Sequence, residues 1–294
     1  MKPGGLVFVL LLCGGLAAAQ DTARISGVLD WSRMEMSVRI TLDLAGEGIR
    51  LPSGRARAEA LIEDVFPALI QPLIMGIQVD SSSTVEDMIS RGELSLRRAD
   101  SFAGNARRIP PALSADLSAI SAQYTLGLNS IGADFIRHSR PRPITAPMIP
   151  VPAREYTGII IIADENLPVH GRSGSAFPQP CLFPKIWDSE MNLIFDRGML
   201  DQRTGGDRAM VRYVGRESIM RSTPSALDED LASLVGENPL RIMARGIFGV
   251  LPTDPVIDRE DALLILSNET NRRLLREGRV ALVIHREGLR KDLP

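Results

Sequence analysis

The chain has 294 residues, of which 44% are hydrophobic and 24% are charged, and its formal net charge is −2. This balance excludes a typical nucleic-acid-binding protein, which needs a basic face to displace counterions from phosphates. Aromatic residues make up only 4% of the chain, so stacking platforms for bases or sugars are not expected. The length favours two domains, with a single domain as the alternative.

Residues 1–19 have the three parts of a secretory signal peptide. Lys2 supplies a positive charge, Leu6–Leu12 form a short apolar core, and the alanines at 17–19 are small enough for a signal peptidase. The apolar core is too short to cross about 30 Å of hydrocarbon, so a transmembrane anchor is not expected. We therefore predict cleavage before Gln20 and a location in the periplasm or cell envelope of a bacterium.

The two cysteines bear on anchoring and on disulfides. Cys13 would be the lipid acceptor of a lipoprotein, which is the alternative, but Leu12 is larger than the residue that such a site needs before the cysteine. We therefore do not expect a lipid anchor. Cleavage leaves Cys181 alone, so an internal disulfide is excluded. Its neighbours are apolar, and no adjacent histidine or lysine activates it, which favours a plain buried thiol.

The first half, residues 20–138, is predicted to be an α+β domain. Apolar and polar residues alternate strictly in Met34–Leu44, which predicts a strand with one buried face. A second predicted strand, Ile25–Leu29, precedes it.

A long helix is predicted from Gly54 to about Met75, with Ser53 as its N-cap. Pro67 and Pro72 should kink or divide it, because proline lacks the N–H group of the helical ladder. The next predicted elements are a strand at Ile77–Asp80, a helix at Val85–Arg91 with a Thr84–Asp87 capping box, a strand at Leu117–Leu128 and a helical turn from Asn129 to Arg137.

Residues 139–155 contain five prolines, so this segment is predicted to be an extended linker between two halves. The second half, residues 156–285, opens with four consecutive isoleucines at 159–162. These β-branched residues predict a strand that is buried on both faces.

The rest of the second half predicts further strands and one long helix. The predicted elements are a hairpin of Leu182–Trp187 and Asn192–Phe195, two strands between Leu240 and Ile257, a helix at Arg259–Glu277 capped by Asp258 and stopped by Gly278, an exposed edge strand at Arg279–His285, and a loose polar tail at 286–294. The predicted fold is therefore α+β, with two small domains, mainly antiparallel sheets and packed helices.

Two segments resemble a known family. Arg55–Ala60 leads through a helix into Gly76–Asp87, and this resembles bacterial envelope lipoproteins grouped with the flagellar outer-membrane protein FlgP. Tyr156–Asp164, followed by Pro180–Asp188, is similar to the "Y-T-G-L-V-I-D-A-R-G-L … P-K-I-x-D" signature of related envelope and motility proteins. The chain departs from that signature at Ala163–Leu167. The resemblance implies an envelope protein linked to flagellar or surface assemblies, and it carries over no catalytic residue.

The three histidines do not form a metal-ligating pattern. His138, His170 and His285 are far apart in sequence, and no His-Glu-x-x-His pair is present. We expect His138 to lie at a helix C-terminus, where a cation is favourable, and His285 to be a surface residue.

The best candidate for a hydrolase is the loop from Asp164 to Ser175, which includes His170 and Ser173. A nucleophile elbow needs Gly-x-Ser-x-Gly between a strand and a helix, whereas Ser175 stands at the fifth position here. The pair Asp164–Glu165 is favoured as a solvated strand end over an acid–base or calcium site. We therefore assign no catalytic, cofactor-binding or metal-binding residue.

These observations favour a non-enzymatic periplasmic or cell-envelope protein without a cofactor, which acts by contacts in a flagellar or other surface assembly. Expected partners are other envelope or flagellar proteins and no nucleic acid, while peripheral membrane contact and self-association stay open. Exposed edge strands would allow pairing by strand addition. The alternatives are a periplasmic hydrolase that uses the 164–175 loop, and a small-ligand or peptidoglycan-binding module with a concave polar pocket.

Overall fold

A computed structural model describes residues 23–136, 138, 140–201, 209–219 and 227–294. The predicted signal peptide, Arg137 and Ser139 lie outside the described residues, as does the Thr-Gly-Gly-Asp segment at 204–207, whose sequence predicts a turn. Within the described ranges, no helix is both long enough and apolar enough to cross a membrane.

The first unit is built on a five-stranded sheet with antiparallel pairing throughout. Its strand order is β17-β1-β2-β6-β5. The strands are β1 (Ala23–Asp30), β2 (Glu35–Asp43), β5 (Arg107–Leu113), β6 (Ala119–Gly127) and β17 (Arg290–Leu293). In β2 and β6 every second side chain is buried, so one face of the sheet belongs to the core and the other is polar. The alternation predicted for β2 is confirmed.

Helix α1 (Arg55–Met75) covers the inner face of this sheet as one undivided helix. The predicted division at Pro67 and Pro72 is wrong. Both prolines are exposed, so the carbonyl groups that they leave without a partner lie on the solvent side, where water can bind them. The predicted N-cap at Ser53 is also wrong, because Gly54 holds that position without a side-chain hydrogen bond.

Short elements complete the first unit. The Thr84–Asp87 capping box is confirmed: the Thr84 N–H group donates to the Asp87 carboxylate at 2.8 Å, and the Asp87 N–H group donates to the Thr84 hydroxyl. Gly127 rather than Asn129 precedes the last helix. These elements are β3 (Gln78–Asp80), β4 (Ser83–Thr84), α2 (Val85–Ser90), α3 (Leu96–Gly104) and α4 (Leu128–Ala133).

The second unit contains a parallel sheet of order β12-β16-β7-β13. Its strands are β7 (Ile159–Ala163), β12 (Arg212–Val214), β13 (Leu240–Met243) and β16 (Val280–Ile284). The isoleucine-rich strand β7 is buried on both faces, as predicted. The prediction that 279–285 form an exposed edge strand is wrong, because β16 is fully buried between β12 and β7.

The second unit also contains a four-stranded sheet of order β11-β10-β15-β14. The predicted hairpin is confirmed as β10 (Ile186–Asp188) with β11 (Leu193–Phe195). The region 240–257 forms three strands rather than two, since β14 (Gly246–Phe248) and β15 (Asp254–Ile257) follow β13. A small hairpin joins β8 (Leu167–Pro168) to β9 (Ser175–Ala176).

The helix predicted at 259–277 is two helices. The Asn268 side chain accepts a hydrogen bond from the Thr270 N–H group at 2.8 Å, which starts a new helix after Ser267. Gly278 ends the second helix with a φ of 63°, as its position predicted. The helices of the second unit are α5 (Glu229–Val235), α6 (Arg259–Leu266), α7 (Glu269–Arg276) and α8 (Arg286–Leu289).

The two units share one hydrophobic core. The predicted loose tail is wrong: residues 286–293 form α8 and β17, and β17 extends the sheet of the first unit by pairing with β1. The N–H groups of Leu182 and Phe183 donate to the carbonyls of Gln78 and Val79 at 3.0 and 2.8 Å. The fold is α+β with mainly antiparallel pairing, as the sequence predicted.

Candidate functional site

The outer face of the five-stranded sheet carries a shallow hollow of about 690 Å³ over β17, β1 and β2. Helix α1 packs on the inner face of the same sheet. The hollow is lined mainly by polar side chains, and Gly27 is among its lining residues. A Cβ atom at Gly27 would lie 2.7 Å from the Ser37 carbonyl oxygen, so the close approach of β1 to β2 requires glycine there.

Charges of both signs surround this hollow. The charged lining residues are Arg33, Arg39, Arg290, Asp30, Glu35 and Asp292. Asp30 lies directly across from Arg290 in the strand register, but its carboxylate accepts hydrogen bonds from its own turn, from the Ser32 hydroxyl at 2.6 Å and the Arg33 N–H group at 3.1 Å.

Within the described residues, none of the three guanidinium groups has an ion-pair partner or a side-chain hydrogen bond. An unpaired guanidinium presents five N–H donors, and the serine hydroxyls of β1 and β2 add further hydrogen-bonding groups. Such a surface can bind a polar, mixed-charge surface or segment of another molecule.

A second, smaller cleft of about 360 Å³ lies where three parallel strands end. Asp164 follows β7, Arg216 follows β12, and His285 follows β16. The Arg216 guanidinium binds the Asp164 carboxylate with two hydrogen bonds, one of 2.9 Å, and it donates to Glu165 at 3.1 Å. These carboxylates raise the pKa of Arg216 above its usual value. The Asp164–Glu165 pair is therefore partly neutralised rather than simply solvated.

The residues of the predicted hydrolase loop do not converge. His170 and Ser173 do not line the cleft around Asp164, and no hydrogen bond joins these two residues to each other in the part of the chain that is described. The His170 ring makes an edge contact with the Phe248 ring at a centroid distance of 6.1 Å, and the backbone N–H group of His170 donates to the Ile247 carbonyl at 2.8 Å. The loop is a small hairpin that packs against β14.

The other two histidines also lack a common site. His138 lies outside helix α4, contrary to the prediction, and its Nε2 atom is 2.8 Å from the Leu200 carbonyl oxygen. His285 is partly exposed, as expected, and its ring lies tilted against the Phe177 ring at a centroid distance of 4.6 Å. In the described ranges, no group of three or more histidine, cysteine, aspartate or glutamate side chains is arranged to hold a metal ion.

The sequence did not predict a buried polar cluster at the junction of the units. Asp254 is fully buried, accepts hydrogen bonds from Thr253 and the Lys185 N–H group, and has a pKa that burial raises. Cys181 is fully buried beside it, and burial also raises the pKa of its thiol, so the plain buried thiol is confirmed. In sequence, Asp254 is a single aspartate beside Pro255, and no local pattern predicts that it is buried.

Comparison with protein families adds two matches. Residues 22–134 match the family described as Treponema pallidum Tp0624, N-terminal domain, and residues 158–286 match the family described as Treponema pallidum Tp0624, second domain. The chain is similar to Tp0624 in two consecutive domains. The Tp0624 N-terminal match contains most of the open sheet, and the second-domain match contains the parallel sheet. The descriptions of the Tp0624 domains give no activity, and no curated protein matches the chain.

Proposed function

We propose that this protein is a non-enzymatic component of the cell envelope that acts by binding other proteins through the open face of its five-stranded sheet. The observation that carries this proposal is the set of unpaired guanidinium groups at the hollow: Arg33, Arg39 and Arg290 face solvent without partners in the described residues. A surface that keeps several charges unpaired offers them to an incoming partner, where they set specificity and association rate.

The expected location and assembly rest on the sequence. The signal-peptide pattern at 1–19 supports export, and the segments Gly76–Asp87 and Tyr156–Asp164 support a link to flagellar or other surface assemblies. The Tp0624 matches neither add to this link nor remove it.

The first experiment asks whether the native protein co-purifies with detergent-extracted flagellar basal bodies from its own organism. Stoichiometric co-purification supports the flagellar role. Recovery of the protein only in the soluble periplasmic fraction removes that role.

A second experiment tests the surface itself. The double variant Arg33→Glu and Arg39→Glu reverses two charges at the hollow. The matched control is Arg57→Glu with Arg97→Glu, since these arginines are exposed, lie outside the hollow and have no ion-pair partner in the described part of the chain. We expect the first variant to lose its binding partners and the control to keep them. Equal recovery of partners by both variants would contradict the proposal.

A small-ligand-binding module is the second candidate, because ligands of parallel α/β sheets bind beyond the carboxyl ends of the strands, and the Asp164–Arg216 cleft lies there. A thermal-shift screen of charged small molecules tests it. A ligand whose stabilisation is lost in Arg286→Ala, which changes an exposed lining residue, would support this candidate.

A further inference from the structure

The proline-rich segment between the two units presents an apolar tip to solvent. Met148 and Ile149 are adjacent in sequence, and their relative exposures are 101% and 83%. The other large apolar residues that are exposed in the described part of the chain reach at most 64%. Two neighbouring side chains of this kind place apolar surface in water with no contact that compensates for it.

The tip is fixed to the body of the protein on both sides. On the N-terminal side the Arg142 N–H group donates to the Gly198 carbonyl at 2.7 Å, and Ile144 is buried. On the C-terminal side the Val151 N–H group donates to the Ser267 hydroxyl at 3.0 Å. Prolines at 147 and 150 restrict φ on either side of the two apolar residues. Little conformational entropy therefore remains to be lost when the tip binds.

The segment that carries the tip is basic in sequence. No acidic residue occurs from 138 to 154, a segment that contains Arg140, Arg142 and Arg154. Arg142 is paired with Asp196, and Arg154 lies over the Tyr156 ring at 5.1 Å. Arg140 is exposed and has no partner in the described residues. An apolar tip on a segment that also carries an unpaired arginine is complementary to a membrane surface with anionic lipids.

We propose that residues 147–150 make a shallow, peripheral contact with an anionic lipid surface. Met148 and Ile149 enter the boundary between headgroups and acyl chains, and Arg140 lies near the lipid phosphates. The contact rests on the proposed envelope location, since it needs a membrane within reach. It does not depend on the open sheet face.

The test uses the protein from Gln20 onward, so that the apolar leader does not itself bind lipid. Co-sedimentation is measured with vesicles of equal parts phosphatidylethanolamine and phosphatidylglycerol, and with vesicles of phosphatidylcholine alone. We expect binding to the anionic vesicles and much weaker binding to the neutral ones. The double variant Met148→Ser and Ile149→Ser should lose binding by a factor on the order of ten or more.

The matched control is Val250→Ser with Leu251→Ser, which removes another exposed apolar pair. This control should keep the binding of the parent protein, and unchanged thermal unfolding of both variants shows that they are folded. The proposal is overturned if the parent protein does not bind anionic vesicles. It is also overturned if the Met148 and Ile149 variant binds them as well as the parent does. Self-association without lipid that is lost in this variant would assign the tip to a second copy of the chain and also overturn it. None of these results depends on co-purification with basal bodies.

Discussion

The hydroxyl group of Tyr213 bonds both backbone groups of Cys181. It donates to the Cys181 carbonyl at 2.9 Å and accepts from the Cys181 N–H group at 3.1 Å, and all of these atoms are buried. The Trp31 and Tyr213 rings make a T-shaped contact at a centroid distance of 6.0 Å. One side chain of β12 thus joins the loop before β10 to the turn between β1 and β2 of the other unit.

Removal of this hydroxyl should destabilise the whole chain. Tyr213→Phe leaves a buried N–H group and a buried carbonyl group without partners, and we expect the free energy of unfolding to fall by about 1–3 kcal/mol. Urea unfolding followed by tryptophan fluorescence measures it.

Tyr124→Phe is the matched control for this change. Tyr124 is also buried and stacks on Phe66 at 3.8 Å, but its hydroxyl has no hydrogen-bond partner in the described structure. We expect its stability to stay within about 0.5 kcal/mol of the parent or to rise, since the substitution removes a buried polar group that is unpaired. Equal losses for the two variants would show that the bonds to Cys181 contribute nothing specific.

Local patterns in the sequence predicted the elements that local physics determines. The alternation in β2, the isoleucines of β7 and the Thr84–Asp87 capping box each depend on neighbours in sequence, and all three are confirmed. The sequence patterns did not predict α3 or β5. Strand β5 contains Pro110 and Pro111, and two prolines in succession argue against a strand. Both prolines lie at an edge of the sheet, where the missing N–H groups disturb the ladder least.

Non-local pairing could not be predicted in this way. The positions of strand β16 and tail strand β17 are set by partners far away in sequence, and both predictions underestimated how fully these segments are paired. The candidate sites could not be predicted for the same reason. Asp164 was noticed as one of a carboxylate pair, but its partner Arg216 lies 52 residues further along the chain. The hollow includes residues of β17, so it could not be predicted without the pairing of β17 with β1.

The capping box of α2 gives a second prediction. Thr84→Ala removes the hydroxyl that accepts from the Asp87 N–H group, and we expect a loss of about 1 kcal/mol in the free energy of unfolding. Ser53→Ala is the comparison, because Ser53 resembles an N-cap in sequence but does not cap α1. This second variant should change stability by less than about 0.5 kcal/mol. A larger effect at Ser53 than at Thr84 would reverse the assignment of the two caps.

The buried Asp254 carboxyl gives a prediction for pH dependence. Burial raises its pKa in the folded state above the usual value of 3.8. At a pH between 3.8 and the raised pKa, the folded state therefore binds more protons than the unfolded state. The contribution of Asp254 to stability is therefore largest below pH 3.8 and falls as the pH rises through the raised pKa. Asp254→Asn should remove this dependence, so that the stability of the parent protein relative to the variant declines with rising pH.

Asp116→Asn should show the opposite trend. Hydrogen bonds from Ser114 and Ser118 lower the pKa of Asp116 to about 2, so its contribution is present above the unfolded pKa and is lost as the pH falls towards 2. Urea unfolding from pH 2.5 to pH 7 compares the two variants with the parent. Parallel trends for both variants would contradict the assigned direction of the Asp254 shift.

The last prediction concerns the Asp164–Arg216 pair. The Asp164 side chain is only 6% exposed, so Arg216→Ala leaves a largely buried carboxylate without the guanidinium that binds it, and we expect a lower Tm. Adding Asp164→Asn to this variant should recover part of the loss, because the neutral amide costs less to bury than an unpaired carboxylate. Arg245→Ala provides the comparison, since the Arg245–Asp258 pair is more exposed and should contribute less. If the second substitution gave no recovery, the pair would not be coupled, and Arg216 would be free to bind a ligand in the cleft instead of holding Asp164.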